Sequence, residues 1–284
     1  MPMIKIAFLL TVGVLNVIFG ARGIAELDAV GATGSDLSAP APGVTAISAR
    51  YDGWVLVFKV GEIELNARFD DTAYEADSFV AAAGLAALFT DFDIRSEVAG
   101  QLQGGTPDPE RYGHVERTGE KVRAVDVSFE DNIASSQAQP PFGSWGVPPA
   151  SESDRTGAID PMSAFFQLSG TLTGGRPGEG CTGQIPVFDG KARYNLNLEP
   201  AGRQQVRTRA WRGEALVCHA YYEPISGYDP EDYPSERETR LPLEIWLAPF
   251  NDGAFHLPVR LHTRAGFGGV TIEASEIITT PQAN

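Results

Sequence analysis

Residues 243–275 read LEIWLAPFNDGAFHLPVRLHTRAGFGGVTIEAS. Apolar side chains recur at every second position: Leu243, Ile245 and Leu247, then Phe255, Leu257, Val259 and Leu261, then Val270, Ile272 and Ala274. Polar or charged residues stand between most of them. A period of two places the apolar set on one face of an extended chain. The same pattern extends upstream. Leu216, Cys218, Ala220 and Tyr222 form one face of a strand, Gln204–Trp211 reads as another, and Tyr194, Leu196 and Leu198 alternate with Asn195 and Asn197. Consecutive strands joined by short turns form an antiparallel sheet.

The first half repeats the theme. Trp54, Leu56, Phe58 and Val60 alternate with Val55, Val57 and Lys59, predicting one well-covered strand broken at Gly61. Ile63, Leu65, Ala67 and Phe69 predict a half-buried strand, and Asp70-Asp71 a turn before Tyr74. The Ala- and Leu-rich stretch Ala81–Phe92 predicts one or two helical turns, with Gly84 inside it. Asp93–Leu102 returns to strand, and Gly104-Gly105 with Pro107 and Pro109 reads as a loop. Arg111–Arg117 and Val122–Phe129 pair as a hairpin through Thr118-Gly119-Glu120, and Asp131-Asn132 ends it. Residues 137–157 form a proline-rich loop, either a domain boundary or an excursion over the mouth of a barrel. Phe142 and Trp145 within it are candidates for a lid. Asp160-Pro161 opens the best helix, because Asp caps N-terminal amides and Pro suits the first helical position. Met162, Phe165, Phe166 and Leu168 supply its apolar face, and it ends before Gly170. The expected fold is mainly β: a strongly curved antiparallel sheet forming a partly closed barrel or spiral, with one or two short helices.

The chain has 284 residues, 43% hydrophobic and 21% charged, with 31 Gly and 20 Pro. That composition supports a sizeable core and many turns. The formal charge is −15, which repels phosphate backbones and anionic headgroups and argues against nucleic acid as a partner. Met1–Lys5 carries one positive charge, Ile6–Phe19 is apolar, and Ala21 and Gly23 suit a signal-peptidase site. The expected organisation is therefore a signal peptide over 1–23, a flexible Ala/Gly/Pro/Ser-rich tail over 24–48, and one β-rich domain over 49–280. The expected location is the periplasm. No transmembrane segment is expected after signal cleavage. An uncleaved anchor is the competing reading of the first residues.

Two cysteines, Cys181 and Cys218, predict a disulfide in an exported chain. Redox pairs sit two apart and zinc takes four ligands, so neither alternative fits. Gly178–Gly183 has dinucleotide-motif spacing but neither follows a strand nor opens a helix. Asp189-Gly190 predicts a two-residue hairpin turn. His256 and His262 are placed on a solvent face by alternation, and Asp229–Glu238 lacks calcium-loop spacing. No catalytic constellation, metal site or cofactor motif is read. Trp54, Phe58, Tyr194 and Trp246 are the candidate concave-face residues.

The segments GLAALFTDF, GGTPDPERYGH, DPMSAFFQL, VFDGKARYNL, VCHAYYEPISGY, LEIWLAP and LPVRLHT, in that order, resemble the bacterial domain-of-unknown-function family 3108 across roughly 48–278. The resemblance implies an exported β-rich protein whose cysteine pair matches Cys181 and Cys218. It carries no established activity and no catalytic residue. Three readings of function follow. One is a non-enzymatic envelope protein binding an apolar ligand (a lipid or lipoprotein moiety) or an envelope protein partner. The second is a periplasmic hydrolase acting on an envelope polymer, which requires a histidine such as His114 or His219 beside an acid in a pocket. The third is a structural scaffold without a pocket.

Overall fold

Short polar turns set the register of the long hairpins at one rim. Gly104-Gly105 and Asp131-Asn132 all adopt positive φ, the mirror-image turn that matches strand twist. The computed structural model describes residues 44–169, 181–265 and 268–280. The expected signal peptide, most of the expected tail and the glycine-rich approach to Cys181 lie outside the described residues.

Thirteen strands form one antiparallel sheet: β1 (Thr45–Val55), β2 (Phe58–Phe69), β3 (Ala73–Ala82), β4 (Phe92–Gln103), β5 (Thr106–Thr118), β6 (Lys121–Glu130), β7 (Ile133–Gln139), β8 (Gly183–Phe188), β9 (Arg193–Arg207), β10 (Arg212–Ser226), β11 (Leu243–Phe250), β12 (Phe255–Ala265) and β13 (Gly268–Thr280). Their order is β7-β6-β5-β4-β3-β2-β1-β13-β12-β11-β10-β9-β8. The first and last strands thus pair at the middle of the sheet, and its free edges are β7 and β8. Three short α-helices accompany the sheet among the described residues: α1 (Glu152–Arg155), α2 (Pro161–Ser169) and α3 (Glu236–Arg240).

The sheet curls into a nearly closed barrel, and the segment between α1 and α2 ties its two edges together. The Gly157 amide donates to Asn132 O at 2.8 Å beside β7. Two residues later Ile159 pairs in parallel with Val187 of β8, with bonds of 2.9 Å from Ile159 N to Pro186 O and from Phe188 N to Ile159 O. The β8–β9 turn then presses on β6. A Cβ built on Gly190 lies 2.4 Å from Val125 Cγ1, so glycine is required there, and Ser136 Oγ donates to Gly190 O at 2.7 Å.

Helix α2 runs through the interior. Met162 and Phe166, four residues apart, pack with Tyr74, Val98, Tyr112 and Leu257. Ala164 and Leu168, also four apart, pack with Tyr51, Tyr194, Leu196 and Ile245. The helix therefore joins two apolar clusters, each drawing strands from both halves of the barrel. Cys181 and Cys218 are disulfide-bonded, with Cα atoms 5.7 Å apart. The bond links the approach to edge strand β8 with β10, across β9.

Several expectations of local structure are corrected. The run Trp54–Val60 is not one strand: the chain reverses at Leu56-Val57, and β2 passes straight through Gly61. No turn-forming residue marks that reversal. Pro107 and Pro109 lie inside β5, opposite Leu102 and Gly100, next to an irregularity in the ladder at Ala99/Gly100. The two strands expected at 194–198 and 204–211 are one strand, β9. The proline-rich loop is shorter than expected: β7 reaches Gln139, and Ser151 caps α1. Asp189-Gly190 opens a four-residue connection, in which Asp189 Oδ1 accepts the amides of Lys191 and Ala192 at 2.9 and 2.7 Å. His256 is buried rather than solvent-facing.

Candidate functional site

The interior beside α2 holds an apolar chamber of about 80 Å³. The strand pairing Ile245–Leu261–Ile272 brings three aliphatic side chains into one row of its wall. Ile63 and Leu65 of β2 and Leu196 of β9 continue the wall, and Met162, Phe165 and Leu168 close it from the helix. Tyr51 and Tyr194 bring aromatic rings to the same space. The Tyr194 ring rests against Tyr222 at 4.8 Å between centroids.

Polar groups at the chamber are few. Burial holds the Tyr51 hydroxyl well above the usual phenol range, so it stays protonated, and it has no hydrogen-bond partner among the described residues. A buried hydroxyl without a partner is costly, and a ligand oxygen or a water would satisfy it. Ser78 of β3, 4.0 Å from Met162 Sδ, and Tyr194 are the other lining residues with a hydroxyl.

The helix that forms one wall is positioned by a buried acid. Asp160 Oδ1 accepts the Met162 and Ser163 amides, each at 2.9 Å. Ser163 Oγ bonds Asp160 and lies 2.6 Å from the Tyr74 hydroxyl on β3. Burial pushes the Asp160 carboxyl up to about 6, and the bonds from Ser163 and Met162 oppose that rise. Pro161 fills the first helical position, where no amide is missed. Asp189 is equally buried and pushed up to about 6 by desolvation, against the amides of Lys191 and Ala192.

Of the four aromatic residues expected on the concave face, only Tyr194 lines the chamber. Trp246 is opposite Arg260 in the β11–β12 ladder, and alternation from the lining pair Ile245 and Leu261 puts it on the outer face. Its ring carries the Arg260 guanidinium at 5.7 Å, and its Nε1 donates to Gln204 at 3.1 Å. Trp54 is half-buried beyond a ladder irregularity at Gly53/Trp54, which breaks the alternation counted from Tyr51. Phe58 is 53% exposed at the first hairpin. Phe142 and Trp145 contact each other edge to face at 5.0 Å, and the Arg123 guanidinium lies 4.8 Å from the Phe142 ring centroid. The loop is thereby held against the barrel, and neither aromatic lines the chamber.

Histidines do not assemble an acid–base site there. His219 lies 3.9 Å from Glu244, but both are partly exposed and off the chamber wall. His114 is buried on β5 against the Tyr112 ring and shares that strand face with Glu116. Among the described residues no group of three or more His, Cys, Asp and Glu side chains is placed to hold a metal. No helix among them is long and apolar enough to cross a membrane. Of the buried groups, the sequence marks Asp160 as a helix cap through its place before Pro161 and His114 as a candidate histidine for the hydrolase reading, whereas Glu116 carries no local signal.

The fold has a solved relative. "Crystal Structure of Beta-barrel-like Protein of Domain of Unknown Function DUF1849 from Brucella abortus" superposes with a TM-score of 0.55 at 11% identity, covering 85% of this chain and 100% of that one. At that identity the likeness concerns the fold. A comparison with curated proteins finds no match. The model of the family described as "Protein of unknown function (DUF3108)" matches residues 47–275. With most of its length under that match, the chain belongs to this family of unknown function.

Proposed function

We propose that this is an exported bacterial envelope protein that binds, without catalysis, an apolar chain carrying one hydrogen-bonding group in the chamber beside α2. The observation that carries this reading is the buried, partnerless Tyr51 hydroxyl in a chamber otherwise walled almost entirely by aliphatic and aromatic side chains. Pockets for small apolar molecules have this make-up, mostly hydrophobic with a few placed polar groups. The chamber's 80 Å³ lies below the roughly 300–1,000 Å³ of drug-sized sites. An end of an acyl chain fits as α2 stands, and a longer chain requires the helix to shift. Lipid and lipoprotein acyl groups are the ligand class of this description. The disulfide and the apolar N-terminal segment support export to the periplasm.

Native mass spectrometry of the mature, oxidised protein purified from the periplasm tests the reading. A lipid-sized adduct is expected, and filling the chamber with Leu261→Trp should remove it. Tyr51→Phe should weaken rebinding about fivefold, the loss of one hydrogen bond. A single clean mass for the wild-type protein, with no uptake of added fatty acid, overturns it.

A further inference from the structure

The first hairpin, where the sequence pattern and the chain path disagree, forms one rim of the barrel together with the β3–β4 connection. Leu56 and Val57 make the two-residue turn between β1 and β2, and Phe58 follows. They are 61%, 77% and 53% exposed. The β3–β4 connection, a 3-10 turn at Ala86–Leu88, folds onto the start of β2 through bonds of 3.0 Å from Ala83 N to Val60 O and from Leu85 N to Lys59 O. Gly84 permits this approach: it has φ +57, and a Cβ there would lie 2.5 Å from Lys59 O. The connection adds Leu85, Leu88 and Phe89, the last two 76% and 82% exposed. Six large apolar side chains therefore project from two adjoining loops.

Three observations single out what covers them. No charged residue occurs in Gly53–Phe58 or in Ser78–Thr90, on a chain of formal charge −15. The cation next in the chain, Lys59, is neutralised by Asp52 at 2.7 Å and Glu62 at 2.6 Å. Leu56 adopts φ +56 at the first residue of its turn, a position that favours glycine. The matching turn between β5 and β6 has Gly119 there, at φ +59. A leucine held in this conformation is unfavourable for the backbone, and most of its side chain stays exposed even though one edge rests on Gly268. Finally, the tips project from hairpin turns at the end of the barrel nearer the chamber. Leu243 opens β11, and Ile272 is the fifth residue of β13.

We propose that this rim is a membrane-docking tip that inserts Leu56, Val57, Phe58, Leu85, Leu88 and Phe89 into the surface of a bilayer with net-neutral headgroups. A bilayer accepts projecting apolar loops without the matching concavity that a protein partner must supply. The acidic body of the molecule sets the headgroup preference, because an anionic surface repels it. The inference stands whether or not the chamber binds a ligand.

Flotation of the mature, oxidised protein with phosphatidylcholine vesicles tests it, with and without phosphatidylglycerol. The wild-type protein is expected to float with the neutral vesicles and to bind less to the anionic ones at low salt. Phe89→Ser should lower partitioning about tenfold, and the triple change Val57→Ser, Leu88→Ser, Phe89→Ser should abolish it while leaving the thermal midpoint unchanged. Brominated lipid should quench tryptophan fluorescence, and Trp54→Phe should remove that quenching. Failure of the wild-type protein to float, or equal flotation of the triple variant, overturns the proposal. So does a wild-type dimer that the triple variant dissolves in the absence of vesicles, since the tips would then meet a second copy.

Discussion

The two halves of the barrel share one up-and-down topology and differ in what fills and fastens them. In the half from β8 to β13, the strands contribute aliphatic residues and tyrosines, with Tyr222 and Tyr228 satisfying each other's hydroxyls. A disulfide fastens that half to its short edge strand. In the half from β1 to β7, three adjacent strands bring Ser78, Ser96 and His114 into register on the inner face, and Glu116 follows on β5. Nothing covalent holds that half. Its hairpins are long and regular, and its buried polar atoms include His114 Nδ1 and Thr118 Oγ1 without partners among the described residues. The six-residue edge strand β8 is fastened by the cross-link, whereas the seven-residue edge strand β7 of the other half is held by ladder pairing and the α1 segment.

Removing the cross-link is the strongest way to break this contrast. Closing a loop of 37 residues contributes about 3–4 kcal/mol on the chain-entropy model. The double change Cys181→Ala, Cys218→Ala should lower the urea-unfolding stability by that amount. Hydrogen exchange should then rise first in β8 and β9, leaving β2 to β5 protected. Uniform loss of protection across both halves would mean that the bridge serves the whole barrel and that the halves are not separate in stability.

The polar interior of the first half predicts a pH dependence of its own, beside that of the buried Asp189 in the other half. Burial, aided by the Arg123 charge, holds His114 down at about 4 from 6.5. Its contribution to stability is therefore complete above pH 6.5 and is lost as pH falls through 4. Burial pushes Glu116 up to about 7 from 4.5, against the pull of Arg123. That contribution is complete below pH 4.5 and is lost as pH rises through 7. The two slopes oppose each other between pH 4.5 and 6.5. His114→Gln should therefore gain on the wild-type protein by up to about 1.4 kcal/mol per pH unit as pH falls below 6.5, and Glu116→Gln should gain as pH rises toward 7. Unfolding midpoints measured across that range check both signs, and parallel profiles for the wild-type protein and the two variants would refute the buried, shifted state of the pair.

The contrast between the halves also explains what could be read from sequence. Strands β9 to β13 announce themselves by apolar residues at every second position, and α2 by the Asp160-Pro161 cap. The disulfide is expected from two cysteines in a chain read as exported. The register row Ser78–Ser96–His114 leaves no local trace, because its members come together only when three hairpins pair. The chamber wall was legible only in part for the same reason. Alternation counts faithfully along an unbroken strand, but irregularities at Arg50/Tyr51 and Gly53/Trp54 change the face that each residue presents. Aromatic character then misplaced Trp54, Phe58 and Trp246, whereas the aliphatic row Ile245–Leu261–Ile272 carried the site.

Leu56, like Pro107 and Pro109 inside β5, stands where local backbone preference is overruled, and it supports the smallest and sharpest prediction. Leu56 and Gly119 open two-residue turns on the same half, at φ +56 and +59. Pairing on both sides of each turn is antiparallel; the β1–β2 ladder adds an irregularity at Gly53/Trp54, and at the turns themselves the side chain is the chief difference. Leu56→Gly removes the left-handed strain, which outweighs the added freedom of the unfolded chain, and should raise stability by about 0.5–1 kcal/mol. The converse change Gly119→Leu should lower it by a similar amount or more. If Leu56→Gly stabilises while weakening flotation with neutral vesicles, the leucine is held at the tip at the expense of the fold, as a docking role requires. If it instead destabilises, the contact between Leu56 and the β12–β13 turn, where Gly268 leaves room for its side chain, is the reason for the leucine. The exposed tip would then owe its first residue to packing.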